Sequence, residues 1–229
     1  MPQNPTSRRG GPAANRVARE VDVDAGEGLE LPGILTIPPQ PAGVVVFAQG
    51  SGSSRLRPPD RAVAPALNMA GFATLLFDLL TLPEEAEERN IFDVALMTPR
   101  LVAATKWLHG QRATSGLPLG SAPRRRGAAA LCAAAELGGE IGAIVLRSGR
   151  TDLVQSRLAD VVAPTLLIVG GNDWELLECN RRAQSLLRCA NDLGRRSRRR
   201  ALLRGAGGAE SDNRRRDRLV HPSPTVLLI

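Results

Sequence analysis

Tyrosine is missing from this 229-residue chain, phenylalanine occurs four times, tryptophan twice and histidine twice, as His109 and His221. Long apolar runs are missing too: stretches such as residues 43–48 and 165–169 are far too short to cross a bilayer. A soluble protein with no membrane partner is therefore expected. Only three cysteines are present, Cys132, Cys179 and Cys189, too few and too scattered for a disulfide framework or a zinc site. Buried or idle thiols are expected, with no metal. The first fifteen residues are rich in Pro, Gly, Ser and Arg and contain no apolar stretch of the kind a secretion signal needs. Residues 1–16 read as a disordered lead-in, and a cytoplasmic location follows by default.

What is abundant is arginine, and its placement matters. The sequence pI is about 10.9 and the formal net charge is +7. Between Gly194 and the end, ten arginines face only Glu210, Asp212 and Asp217, and three more stand together as Arg124, Arg125 and Arg126. Those two segments account for more than the whole net charge, so the remainder is mildly acidic. The clusters also contain no aromatic ring on which a base could stack, unlike most nucleic-acid surfaces. No nucleic-acid partner is expected.

From residue 17 on, short β-rich runs alternate with helical patterns, the order of strand–helix–strand units in a mostly parallel sheet with helices on both faces. Residues 21–23 and 31–37 read as an edge hairpin turning at 25–28, and residues 43–48 as a strand buried on both faces. A helix is expected over 61–70, stopped by Gly71, then a strand over 72–77 that leaves Asp78 at its carboxyl end, the edge where such sheets place ligands. The acidic stretch 81–89 reads as a loop or short helix. Residues 93–109 read as a long helix with Leu96, Leu101, Ala104, Thr105 and Leu108 inward. Strands are expected at 117–120, 141–146 and 164–169, and helices at 128–137, 152–160 and 176–193. Beyond Leu193 neither a two-residue nor a 3.6-residue period survives, which leaves the last strand and helix of the domain in doubt. One domain over 17–193 is expected, with 121–126 aberrant, followed by an Arg-rich tail over 194–229.

Within residues 44–54, VVFAQGSGSS resembles the strand and loop of the dienelactone hydrolase family, in which a His-Gly-Ser-Gly-Ser-Ser turn follows an apolar strand. Residues 73–81 (ATLLFDLLT), 101–108 (LVAATKWL), 163–173 (APTLLIVGGND) and 177–189 (LECNRRAQSLLRC) resemble family segments as well. The resemblance covers roughly residues 19–193 and implies an α/β-hydrolase fold. It implies acyl transfer from a carboxylic ester, lactone or thioester of small-molecule size, with neither metal nor organic cofactor. It assigns Gln49, Gly50 and Ser51 to the oxyanion loop, whose backbone N–H groups face the charge that develops on a tetrahedral intermediate. Gln49 stands where the family has histidine. The Asp of GGxD maps onto Asp173, the acid that orients the catalytic imidazole. The alternative role for Asp173 is to cap the helix that follows it.

The family's nucleophile elbow, Gly-x-Ser-x-Gly, is absent. At its place the chain reads Gly120-Ser121-Ala122-Pro123-Arg124-Arg125-Arg126-Gly127, and Pro123 with three arginines opposes the tight small-residue turn that exposes a serine Oγ. Ser121 therefore reads as no nucleophile. His221 lacks the strand–loop–helix context of a catalytic base, and His109 reads as a helix-end dipole partner. The genetic code offers an explanation. Codons compatible with residues 120–125, read in another frame, permit Phe-Gly-Ala-Ser-Thr ahead of Gly127. In the tail, residues 197–206 permit Pro-Gly-Ala-Gly-His-Phe-Phe-Glu-Glu-Pro, its histidine codon spanning Ala201 and Leu202, and residues 218–224 permit Asp-Trp-Phe-Thr-Arg-His-Leu. A frameshift at both places restores both missing motifs. The chain as written is then expected to be inactive or nearly so, and poorly stable because one sheet face loses its cover. The competing reading is an α/β-hydrolase-like binding protein that has lost its triad.

Overall fold

The computed structural model describes residues 17–49, 58–121, 127–170 and 172–196. The opening hairpin pairs β1 (Val17–Asp24) with β2 (Glu30–Ile37) antiparallel, from Val17 opposite Ile37 to Asp24 opposite Glu30. Its turn holds Gly26, Glu27 and Gly28 in succession at φ of +88°, +53° and +75°, a left-handed path for which glycine is the economical residue. Asp24 Oδ1 fixes the turn by accepting the Gly26 N–H at 2.8 Å.

The fully apolar runs become the central strands β3 (Gly43–Gln49) and β4 (Phe72–Asp78), every residue of β4 being buried. They pair in parallel, Gly43 with Phe72 through Gln49 with Asp78. The strands β5 (Leu119–Ser121), β6 (Ile141–Arg147), β7 (Thr165–Gly170) and β8 (Asn191–Arg196) extend the sheet in parallel on the other side. The order is β1-β2-β4-β3-β5-β6-β7-β8, parallel except at the first two pairings.

Strand alternation sends side chains to two faces. Val45, Phe47, Phe72 and Leu76 meet Ala64 and Leu67 of α1 (Pro58–Met69) on one face. Val44, Val46, Ala48, Leu75 and Phe77 face α3 (Val94–Gly110), α4 (Gly127–Leu137) and α5 (Trp174–Leu186) on the other. Each fully buried large side chain, Phe47 and Phe77 among them, contributes about 2–3 kcal/mol on removal from water. In α4 seven consecutive residues from Ala128 to Ala134 are buried, six of them alanine or cysteine, and small side chains let the helix lie close to the sheet.

The acidic stretch 81–89 resolves into the short-helix alternative, α2 (Leu82–Ala86) followed by a 3-10 turn at Glu88–Phe92. Thr81 caps α2 through a reciprocal pair with Glu84, its Oγ1 accepting the Glu84 N–H and Glu84 accepting the Thr81 N–H. Arg100 of α3, nearly buried, grips both Glu84 carboxylate oxygens at 2.7 Å and donates to the Leu79 carbonyl at 2.8 Å. This bidentate pair ties the α2 segment to α3.

The helix expected over 176–193 is corrected by the structure. α5 starts at Trp174 and ends at Leu186, and residues 191–196 form β8, paired with β7 from Thr165 opposite Asn191 to Gly170 opposite Arg196. Asn191 makes the break: its side-chain amide donates to the carbonyls of Cys189 at 2.9 Å and Leu187 at 3.4 Å, turning the chain out of the helix. Leu193, which continued the apolar periodicity, packs on the core from a strand. The strand in doubt is therefore present, and the sheet runs past Leu193 to Arg196. Residues 152–160 form a 3-10 helix, Thr151–Asp160, and the strand expected at 117–120 lies at 119–121. Among the described residues no helix is long and apolar enough to cross a membrane.

Candidate active-site cleft

In a parallel sheet the carboxyl ends of the strands gather on one edge, and here that edge carries Gln49, Asp78, Ser121, Ser148 and Asp173 at or just beyond β3, β4, β5, β6 and β7. Gln49 closes β3 beside Asp78, which is fully buried. Gly50 and Ser51, the rest of the expected oxyanion loop, lie outside the described residues, as do residues 122–126 and His221.

Asp173 follows β7 and is the N-cap of α5. Its Oδ1 accepts the Leu176 N–H at 3.1 Å, and its own N–H donates to the Gly170 carbonyl at 3.1 Å. It also lines a cleft of about 380 Å³ with Phe92, Ser148, Arg150, Glu175, Leu176 and Cys179. The two sequence readings of Asp173 are thus compatible: an exposed carboxylate caps a helix with one oxygen while it borders a cleft.

The floor of the cleft is the loop after β6. Ser148 adopts a left-handed backbone at φ +54°, uncommon for a residue with a β-carbon, and its N–H donates to the Ile168 carbonyl at 2.8 Å. The Gly149 carbonyl accepts from the buried Asn180 side chain of α5 at 3.1 Å. Arg150 forms two charge-assisted bonds to Asp152, at 2.8 and 2.7 Å, and lies 5.9 Å from the centre of the Phe92 ring. That pairing lowers the Asp152 carboxyl below its ordinary range and raises the guanidinium further above its own. Cys179 has its thiol pushed up, first by burial and then by the charge of Asp152.

Ser121 points elsewhere. As the alternation partner of Leu119 on β5, it lines a small void of about 20 Å³ with Val46, Leu101, Thr105, Ala130 and Ala134, on the α3–α4 side of the sheet. It does not line the Asp173 cleft. His109, at the end of α3, has Nδ1 3.5 Å from Glu140 Oε2 at the surface and contributes nothing to the cleft.

Between β5 and α4 the connection spans 122–126, and α4 opens on Gly127. A β-carbon there would stand 1.7 Å from Leu146 Cδ1, and one at Gly149 would stand 2.4 Å from Leu146 Cδ2. Leu146, wholly buried, is wedged between the start of α4 and the cleft loop, so a β-carbon at either position would have to displace it. Sequence reading missed the cleft residues Phe92, Ser148, Arg150 and Cys179. The available signal was Ser148-Gly149 directly after an apolar strand, which places a turn on the ligand edge. Among the described residues no group of three His, Cys, Asp or Glu side chains is placed to hold a metal ion.

No protein-family model matches the chain. Among solved structures, a dienelactone hydrolase from Anabaena variabilis superimposes with a TM-score of 0.75 and 43% identity, covering 80% of this chain and 87% of that one. A dienelactone-hydrolase-like promiscuous phosphotriesterase from metagenomic libraries shares the fold at a TM-score of 0.63 and 21% identity, over 80% of this chain and 82% of that one. Two curated proteins from Mycobacterium tuberculosis strains, both named as phosphoribosyl transferases, are 52% identical over 169 residues, 73% of this chain. The chain spans only 38% of their length. The sheet order, the two-faced helix layers and the extended likeness to the Anabaena enzyme place the chain in the dienelactone hydrolase family of the α/β-hydrolase fold.

Proposed function

We propose that the site is built for hydrolysis of a carboxylic ester, lactone or thioester by acyl transfer. The observation that carries this reading is Asp173 at the end of β7, bordering a cleft of about 380 Å³ on the sheet edge where β5 also ends. In this scheme a hydroxyl from the connection at 122–126 attacks the carbonyl carbon, and backbone N–H groups after Gln49, at Gly50 and Ser51, receive the oxyanion. A histidine oriented by Asp173 takes the hydroxyl proton and returns it to the leaving group. Water then releases the acid and regenerates the hydroxyl.

The chain as written supplies neither the hydroxyl nor the histidine at those places. Ser121 faces the helix layer, and residues 122–126 contain no serine. We therefore read it as a frame-altered form of an active hydrolase, with the nucleophile in the connection at 122–126 and the base in the tail. With both gone, only binding and oxyanion stabilisation remain to catalysis. The second reading is a hydrolase-like binding protein of authentic sequence, favoured by a cleft that keeps Asp173 in a chain without the family's nucleophile and base. Re-sequencing the coding DNA separates them: restoration of Gly-Ala-Ser-Thr-Gly ahead of α4 supports the enzyme, and confirmation of both Arg-rich segments supports the binding protein. The substrate is read as a small molecule and the location as cytoplasmic. The phosphoribosyl transferase name of the Mycobacterium relatives belongs to proteins of which this chain spans 38%, and it is not carried over to this cleft.

A further inference from the structure

The walls of the cleft are held in different ways. The loop after β6 is locked to α5: Thr151, wholly buried, donates from Oγ1 to the Cys179 carbonyl at 3.2 Å, and Asn180 holds the Gly149 carbonyl. Arg150 stands on that loop, fixed by its two bonds to Asp152. Phe92 comes to the cleft from the segment 82–92, in which not one residue is buried. A segment without apolar burial has the low local stability from which the moving parts of clefts are drawn. Polar bonds hold it instead, and they converge on Glu84. Its carboxylate accepts both bonds from Arg100 and the Thr81 N–H, while its carbonyl accepts the Asn90 side-chain amide at 2.9 Å and the Glu87 N–H at 3.3 Å. Asn90 stands two residues before Phe92. Arg100 is anchored in turn, its side chain 10% exposed and bonded to the Leu79 carbonyl just past β4. We propose that Glu84 and Arg100 form a positioning clamp that sets the width of the cleft. The pair holds 82–92 to α3, Asn90 passes that constraint to the Phe92 turn, and the Phe92 ring stays against Arg150. Neither member of the pair lines the cleft, so the clamp acts through Phe92. Loosening it lets the Phe92 wall swing away and admits bulkier ligands. The proposal rests on the cleft being the ligand site, as in the hydrolase reading.

Cys179 lines the same cleft and gives a readout that needs no turnover. The experiment labels the full chain with two uncharged methanethiosulfonates, one bearing a methyl group and one a benzyl group, and refers each rate to a small free thiol. Peptide mass spectrometry separates Cys179 from Cys132 and Cys189. Cys132 is buried in the core and reports global unfolding, so its rate is subtracted. Arg100→Met should raise the benzyl rate at Cys179 by at least about fivefold, the change in open population that losing a modest charge pair brings, and leave the methyl rate nearly unchanged. Glu84→Gln keeps an acceptor for the Thr81 N–H but loses the charge, and should give a smaller change in the same direction. It decides the matter if Arg100→Met does not fold. Phe92→Ala should raise the benzyl rate at least as much as Arg100→Met, and adding Arg100→Met to it should bring no further gain. A purely structural pair would instead give independent, multiplying effects. A benzyl-to-methyl ratio that does not move in the clamp variants, a gain that vanishes once the Cys132 rate is subtracted, or full multiplication in the Phe92→Ala background would each overturn the proposal. None of these outcomes depends on ester hydrolysis, so the clamp and the hydrolase reading stand or fall separately.

Discussion

Replacing Gly127 with alanine probes the start of α4, the helix that follows the expected position of the nucleophile. The new β-carbon would lie 1.7 Å from Leu146 Cδ1, 2.6 Å from Cγ and 3.1 Å from Cδ2. The obstacle is a side-chain tip, which elsewhere could swing aside. Here it has nowhere to go, because Leu146 is wholly buried and its other flank lies against Gly149, where a β-carbon would already be 2.4 Å away. Overpacking of this kind costs about 1–3 kcal/mol, and the gain in helix propensity from Gly to Ala returns at most about 1 kcal/mol. A net loss of roughly 1–2 kcal/mol is expected for Gly127→Ala by urea denaturation. Leu146→Ala alone should cost about 2–5 kcal/mol through the cavity it leaves. In the double variant the alanine methyl enters that space, so the combined loss should fall short of the sum by at least about 1 kcal/mol. Strict additivity, or a Gly127→Ala variant as stable as the parent, would refute the wedge and with it the tight start of α4.

The Glu84–Arg100 pair gives a pH prediction. The Arg100 guanidinium holds the Glu84 carboxyl at about 2, against an ordinary value of 4.5. A depressed carboxylate stabilises fully above its unfolded pKa and loses that contribution as pH falls through the folded one, so the loss should run from about pH 4.5 down to about pH 2. Its full size is about 3 kcal/mol, and Arg100→Met should flatten the slope of stability in that window. Asp173→Ala should cost about 1 kcal/mol by uncapping α5, measured by thermal melting, whereas Asp173→Asn should cost less because the amide oxygen still accepts the Leu176 N–H. The chain as written should melt broadly or aggregate on heating, and a compact monomer with a sharp cooperative transition would count against the frame-altered reading.

Most of the fold was legible because periodicity and punctuation agreed: the continuous apolar run of β3, the stop at Gly71 and the glycine-bearing turn of the β1–β2 hairpin each had a local cause. The missed break between α5 and β8 had one as well, but Asn191 acts by bonding carbonyls of the preceding turn, and a periodic Leu193 conceals it. Arg100 was equally hidden, since nothing local distinguishes an arginine gripping a distant glutamate from one in water. Asp173 was legible because it follows a strand on the ligand edge. Ser148, Arg150 and Cys179 were not, because the cleft exists only once the β6 loop, the start of α5 and the Phe92 turn meet in space.

We propose a hydrolase scaffold that lacks its nucleophile and base as written. Its most direct test compares hydrolysis of p-nitrophenyl acetate by the chain as written with that of a chain carrying the restored Gly-Ala-Ser-Thr-Gly turn and histidine-bearing tail. Turnover is expected from the restored chain, lost when Asp173 becomes alanine, and none above background from the chain as written. Comparable turnover from the chain as written, abolished by Asp173→Ala, would contradict the account.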